Sequence, residues 1–173
     1  MMDFLDVLLK RRSIRKYADG DIPEEKLEKI LQAGLLAPTS RNQKPCVFYV
    51  VRDREVLRKL SEAKSAGAWM IADCNTAIAV FADSRKADTW VEDCSIAMSY
   101  MMLMAEEQNV GNCWVQMHFR KDAEGKDAEE NVKNILNVSE NYRIAGILAM
   151  GIAAEDAKPH TQDEIDWEKV HRI

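Results

Sequence analysis

Glycine and proline are scarce in this chain of 173 residues, at 7 and 4, and nowhere do they cluster into a linker or a low-complexity tract. Fibrous and disordered architectures are thereby excluded. The four cysteines, at 46, 74, 94 and 113, form no C-x-x-C or C-x-x-H pair, so no zinc site is expected. No apolar run approaches the ~20 residues that span a bilayer. The N-terminal stretch is acidic and apolar before it turns basic, the reverse of a secretory signal. A cytoplasmic protein with reduced thiols and no membrane partner is expected. Cations do not dominate: 24 Lys and Arg against 29 Asp and Glu leave a net charge of −5. The chain has no global field for nucleic acid, and any anion site must be a local basic cluster. Of the three histidines, His118, His160 and His171, none sits in H-E-x-x-H or H-x-H, and G-x-S-x-G, the P-loop and G-x-G-x-x-G are all missing. The protein is either a binder or an enzyme whose chemistry a cofactor carries.

What is present describes an ordinary globular domain covering 1–173, with 47% hydrophobic and 31% charged residues. Apolar spacing predicts a helix over 3–10. A second opens at Pro23 with Glu24 and Glu25, buries Leu27, Ile30, Leu31, Gly34 and Leu35, and stops before Pro38. A short helix is expected over 53–63 and a surface helix over 128–136. Strands are predicted at 47–51, 76–81, 113–117 and 144–152. Thr89 to Val110 is apolar on nearly every side and predicts a long central helix, partly covered by a second subunit, with Gly111 as its C-cap. The fold expected is α+β or α/β, a sheet of four or five strands wrapped by helices.

Two segments stand out chemically. Lys10-Arg11-Arg12-Ser13-Ile14-Arg15-Lys16-Tyr17 concentrates cations around a hydroxyl in an acidic protein. On a helical turn Arg11 and Arg15 would share a face, and such a cluster repels itself unless an anion neutralises it. A phosphate dianion is well matched to guanidinium forks; the plainer reading is a solvated helix end. Between a helix and a strand lies Ala37-Pro38-Thr39-Ser40-Arg41-Asn42-Gln43-Lys44-Pro45, dense in donors and acceptors and stiffened by its prolines. It could bond a polar heterocycle or polyol, or merely cap its own backbone.

Arg11-Arg12-Ser13-Ile14-Arg15-Lys16-Tyr17 matches the pattern R-[RH]-S-x-R-x-[FY]. Ala37, Pro38, Thr39, Asn42, Pro45, Phe48 and Tyr49 follow in a second motif, Gly111-Asn112-Cys113-Trp114-Val115 in a third, and Met150-Gly151, Lys158-Pro159 and Val170-His171 in the tail. In this order the motifs resemble the FMN-dependent nitroreductase family across essentially the whole chain, at the short end of its lengths. The resemblance implies an α+β fold with a mostly antiparallel sheet of four to five strands and a long buried central helix. It also implies an obligate homodimer with FMN at the subunit interface, NADH or NADPH as electron donor, and a small-molecule acceptor of nitroaromatic or quinone type. Arg11, Arg12 and Ser13 would hold the ribityl phosphate, with Arg15 at the flavin N1–C2=O edge. Pro38, Thr39, Ser40 and Asn42 would reach the flavin from the other subunit. Trp114, Val115 and Gln116 would lie beside the isoalloxazine, while Lys158 and His160 close on the phosphate. No side chain need act as acid or base. The chain departs from the family at Lys44, where Gln is common, at Cys46, where Trp is common, and at His160, where Arg is common. The alternatives are a flavin carrier or sensor without efficient turnover, and a binding module for another phosphorylated ligand. The methionines of the long helix are read as core, the cysteines as small buried hydrophobes with Cys46 the most exposed, and Glu92 and Asp93 as dimer or capping contacts.

Overall fold

Strand β5 (Tyr142–Ala153) organises the molecule, pairing with β1 (Tyr17–Ala18), β3 (Thr76–Asp83) and β4 (Gly111–Gln116), while β3 pairs in turn with β2 (Cys46–Val51). All pairings are antiparallel. The computed structural model describes residues 3–173; Met1 and Met2, with which the expected domain begins, lie outside the described residues. Side chains alternate across the sheet, with one slip in β5 after Ala145. Ala77, Ala79 and Phe81 of β3, with Ile144, Ile147 and Ala149 of β5, join one apolar core; Ile78, Val80, Ala82, Ala145, Leu148 and Met150 join the other. A strand covered on both faces has no polar side to display, which is why these segments read as unbroken apolar runs. Each large side chain buried this way contributes roughly 1.5–3 kcal/mol. Between Val80 and Phe81 the register slips past Ala145, whose carbonyl instead accepts from the amides of Met117 and His118.

Helices cover both faces. Leu57 and Leu60 of α3 (Arg54–Ser61), Met70 and Ile71 of α4 (Met70–Asp73) and Val132 of α6 (Ala128–Leu136) fill the first core. Leu27 and Ile30 of α2 (Glu24–Leu35) fill the second, with Cys94, Met98, Met101 and Ala105 of α5 (Trp90–Glu107). Pro23 opens α2 through its carbonyl, and the side chain of Asp53 caps α3 by accepting from the Val56 amide at 2.9 Å. The remaining helix, α1 (Phe4–Lys10), precedes the basic segment.

Several expectations change. The two-residue β1 and one-turn α4 are too short for any periodic signal. Helix α5 stops at Glu107, three residues early: Gln108 is its C-cap and Asn109 takes the left-handed conformation at φ 54°. Gly111 is therefore not the cap but the first residue of β4, two residues before the expected start, where a Cβ would meet Ile14 Cγ2 at 3.0 Å and the Gly151 carbonyl oxygen at 3.2 Å. Leu35 leaves the buried stripe of α2 and is 64% exposed.

Buried Asn75 ties β1 to β5, donating from Nδ2 to the Ala18 carbonyl (3.1 Å) and accepting at Oδ1 from the Ile152 amide (2.7 Å). A Cβ on Gly151 would lie 2.4 Å from that oxygen. Asn75→Ala should destabilise the protein by about 1–3 kcal/mol, read as a fall in the thermal midpoint; an unchanged midpoint would show that the clamp carries no stability.

Candidate functional site

Helix α1 ends because Arg11 leaves helical geometry (ψ 118°), and the chain runs on extended. The Ile14 amide donates to the Asn112 carbonyl at 2.9 Å, and Ser13 forms a parallel bridge with Asn112 of β4. The helical turn expected to align Arg11 with Arg15 is thus absent. In extended chain the repeat is two residues, so Arg11, Ser13 and Arg15 share one side while Ile14 buries itself on the other. The polar side opens on a cavity of about 430 Å³ lined by Arg11, Arg12, Ser13, Arg15, Glu155, Asp156, Ala157 and His160.

Among the described residues, Arg11, Arg12 and Arg15 make no ion pair, although Glu155 and Asp156 are near. Glu155 is engaged elsewhere, accepting at Oε1 from the backbone amides of Arg15 (2.6 Å) and Lys16 (3.3 Å). Arg12 donates from Nη1 to the Lys158 carbonyl. Lys158 thus steers a guanidinium through its backbone, while its own side chain is exposed. His160 is held from both ends: its amide donates to Leu9, and Nδ1 lies 2.7 Å from Glu164 Oε2. Three guanidiniums without carboxylate partners, beside a serine hydroxyl, fit a phosphate dianion.

Strand β4 runs beside this segment, joined to it by the Ser13–Asn112 bridge. Burial pushes the Cys113 thiol up, while Arg15, Ser13, Lys64 and Arg11 act in the opposite direction. Lys64 donates from Nζ to the Gln116 carbonyl at 2.9 Å, and burial together with Arg120 pushes its ammonium down. Trp114 Nε1 donates to Gln116 Oε1 (2.9 Å), and Gln116 Nε2 to the His118 carbonyl (3.2 Å), which locks both side chains. Val115 points into the core, so only its backbone can face a ligand.

Pro38, Thr39, Ser40 and Asn42 lie elsewhere. The Ser40 amide donates to buried Asp93 Oδ1 at 2.9 Å, and Thr39 Oγ1 accepts from the Lys44 amide at 3.0 Å. Asp93 is therefore the loop's anchor, and its Oδ2 also accepts from the hydroxyl of Thr89 at the start of α5 (3.4 Å). Arg41, Asn42 and Lys44 all have positive φ. The loop delivers Cys46 opposite Ala82, which pairs with Arg143, whereas Asn112 pairs with Met150. From 143 to 150 along β5 is about 23 Å, and from β4 to β2 across the sheet a further ~14 Å. One chain therefore does not bring this loop to the basic cavity. The structure gathers Arg11, Arg12, Ser13, Arg15 and His160 around one cavity, keeps Trp114, Val115 and Gln116 on the neighbouring strand β4 outside its lining, and leaves the loop apart.

Sequence reasoning missed Lys64, a lone lysine among small residues, and Glu155, one of several acids in a charged tail; nothing in their neighbourhoods marks them. It also missed a buried cluster at the far end of the sheet. Glu129 accepts from Arg143 Nε and Nη2 (2.8 and 2.9 Å) and lies 2.6 Å from His118 Nδ1, with Trp90 edge-on to the imidazole and under the Arg143 guanidinium. His118 is buried in this cluster rather than presented to a ligand. Among the described residues, no helix is long and apolar enough to cross a membrane.

A family model described as the nitroreductase family matches residues 8–76 and 66–152. The fold is similar to an FMN-dependent nitroreductase of Clostridium difficile R20291, with a TM-score of 0.95 and 38% identity over 97% of this chain and 98% of that one. The chain is 33% identical to a candidate NADH dehydrogenase/NAD(P)H nitroreductase of Archaeoglobus fulgidus, covering 99% of this chain and 98% of the relative. It is 30% identical to an NADH dehydrogenase of Thermus thermophilus over 92% of this chain and 91% of the relative.

Burial pushes the Glu129 carboxyl up, but the bonds from Arg143 and His118 outweigh it and hold it below the ordinary range. A carboxyl depressed by folding stabilises fully above its unfolded pKa of about 4.3, and that contribution disappears as pH falls through the lower folded-state value. Acid unfolding followed by near-ultraviolet circular dichroism should therefore steepen below about pH 4 in the native protein. Glu129→Gln should already be less stable at pH 7, by about 3–5 kcal/mol, and lack that part of the acid transition. Identical acid profiles would contradict the assignment.

Proposed function

The chain belongs to the nitroreductase family, and from that premise we propose that it is a cytoplasmic FMN-dependent NAD(P)H oxidoreductase. In this reading residues 1–173 form one FMN-binding domain that works as a homodimer. The observation that carries it is the cavity where Arg11, Arg12, Arg15 and Ser13 converge without carboxylate partners beside β4. Bound FMN would supply the redox chemistry, taking a hydride from NADH or NADPH at N5 and passing electrons to a nitroaromatic or quinone-type acceptor in ping-pong fashion.

The chain's own residues bind, orient and shield. Arg11, Arg12 and Ser13 would hold the phosphate, with His160 at the cavity's edge and Lys158 acting through its carbonyl on Arg12. Arg15 would set positive charge at the flavin's pyrimidine edge, where negative charge develops on reduction. Lys64, reaching β4 from the other direction, adds a second cation to that strand. Trp114 and Gln116 are already immobilised on each other, so little side-chain entropy remains to be lost when a ring settles against β4. No acid or base is needed from the protein.

The homodimer reading rests on two features. Pro38, Thr39, Ser40 and Asn42 are too far from the basic cavity to serve it within one chain, and a second copy would supply them. Phe4 and Leu8 of α1, Leu35 and Leu36 at the end of α2, and Ile96 and Tyr100 of α5 are exposed large apolar residues, the kind of surface a partner covers.

Losing one charge-assisted phosphate contact costs about 1.5–3 kcal/mol, so Arg11→Ala or Ser13→Ala should weaken FMN binding about ten- to a hundredfold in a fluorescence titration. Unaltered FMN affinity in the Arg11→Ala/Arg15→Ala double variant would overturn the site, and a stable folded monomer in sedimentation would overturn the shared interface.

A further inference from the structure

Cys46 opens the edge strand β2, and Cys94 lies in the second turn of α5; their Sγ atoms are 3.6 Å apart across 48 residues of sequence. Of the four free thiols, Cys46 alone is half-buried, while Cys74, Cys94 and Cys113 are buried. A small oxidant therefore meets the pair at Cys46. Reaching disulfide length needs the sulfurs about 1.6 Å closer, a matter of side-chain rotation and a small backbone shift. The backbone entering Cys46 is already bent, with Lys44 at φ 46°, and Ser40 is bonded to Asp93, the neighbour of Cys94. Loop, strand end and helix thus meet around these two sulfurs.

We propose that Cys46 and Cys94 are a redox modification site that closes to a reversible disulfide under hydrogen peroxide. The Cys46 thiolate attacks one peroxide oxygen; an S–O bond forms, the O–O bond breaks, and the departing hydroxide takes up the thiol proton as water. The Cys94 sulfur then attacks the Cys46 sulfenic acid; the S–S bond forms, the S–O bond breaks, and a second water leaves with the Cys94 proton. Two thiols lose two electrons in total and one peroxide becomes two waters. The direction of attack follows from the pair itself. Cys46 is the more exposed thiol and the S–H···S bond between the two lowers it, while that bond and then burial hold Cys94 protonated. Asp93, beside Cys94, opposes ionisation of both thiols.

The bond would staple the 39–46 segment to α5. That this fixes the loop offered to a partner's flavin rests on the function proposed above; the thiol chemistry does not.

The test uses the full chain as purified, reduced and desalted, then exposed to hydrogen peroxide, alkylated under denaturing conditions and peptide-mapped. The expected result is one linked pair, Cys46 with Cys94, only Cys74 and Cys113 alkylated, and full recovery with dithiothreitol. In Cys94→Ser the sulfenic acid on Cys46 should be trapped by dimedone; Cys46→Ser, at the less buried position, should leave its remaining thiols alkylatable. Four alkylatable thiols after peroxide, a Cys46 bond to any other cysteine including one of a second chain, or Cys46 sulfinic acid in the native protein would overturn the proposal. The map needs no flavin, so a colourless protein carrying the linked pair would refute the flavin reading alone.

Discussion

The pairing of the Ser13–Ile14 backbone with Asn112 fixes where Arg11, Ser13 and Arg15 of the candidate site can be. It is a small interaction, one amide bond and one bridge, yet it decides the geometry because it forces extended chain immediately after α1. Extended chain sends Ile14 into the protein and Arg11, Ser13 and Arg15 out on one side, and the Tyr17 hydroxyl secures the segment from behind by donating to the Ile14 and Ala149 carbonyls. Burial pushes that phenol up, so it stays a neutral donor. Cations held this way cannot spread apart to relieve their repulsion. Without carboxylate partners, the arrangement is stable chiefly as a receptacle for an anion.

The second constraint is distance. A sheet has a fixed spacing along and across its strands, and the loop before β2 and the segment before β1 sit near opposite ends of it. No side-chain motion closes such a gap. A ligand that needs both must take them from two chains, and the exposed apolar residues of α1, α2 and α5 give a second copy something to bury. Asp93 links the two constraints: it lies in α5, whose apolar side packs on the sheet, and it fastens the loop by accepting from Ser40.

Much of this was legible in the residues. Strands β2 to β5 and helices α2, α3, α5 and α6 were readable because burial imposes periodicity, or its absence when both faces are covered. The basic segment was legible as an anion site from its charge, but not in its geometry: spacing of four suggests a helical face, and only the pairing with Asn112, 99 residues away, makes it extended. Gly111 looked like a cap because glycine after a helix usually is one; here Asn109 takes that conformation and Gly111 is needed where Ile14 and Gly151 crowd the strand. Lys64, Asp93 and the Glu129–His118–Arg143 cluster were invisible because each has meaning only through partners distant in sequence. Cys46 did announce itself, as a small residue where the family commonly carries Trp, but its proximity to Cys94 required the fold.

The most direct measurement is the visible absorption spectrum of the purified protein, recorded anaerobically before and after NADH and NADPH. A flavin band should be present and should bleach with at least one of the two donors. No flavin band even after incubation with FMN, or a band that survives both nucleotides, would contradict the central claim.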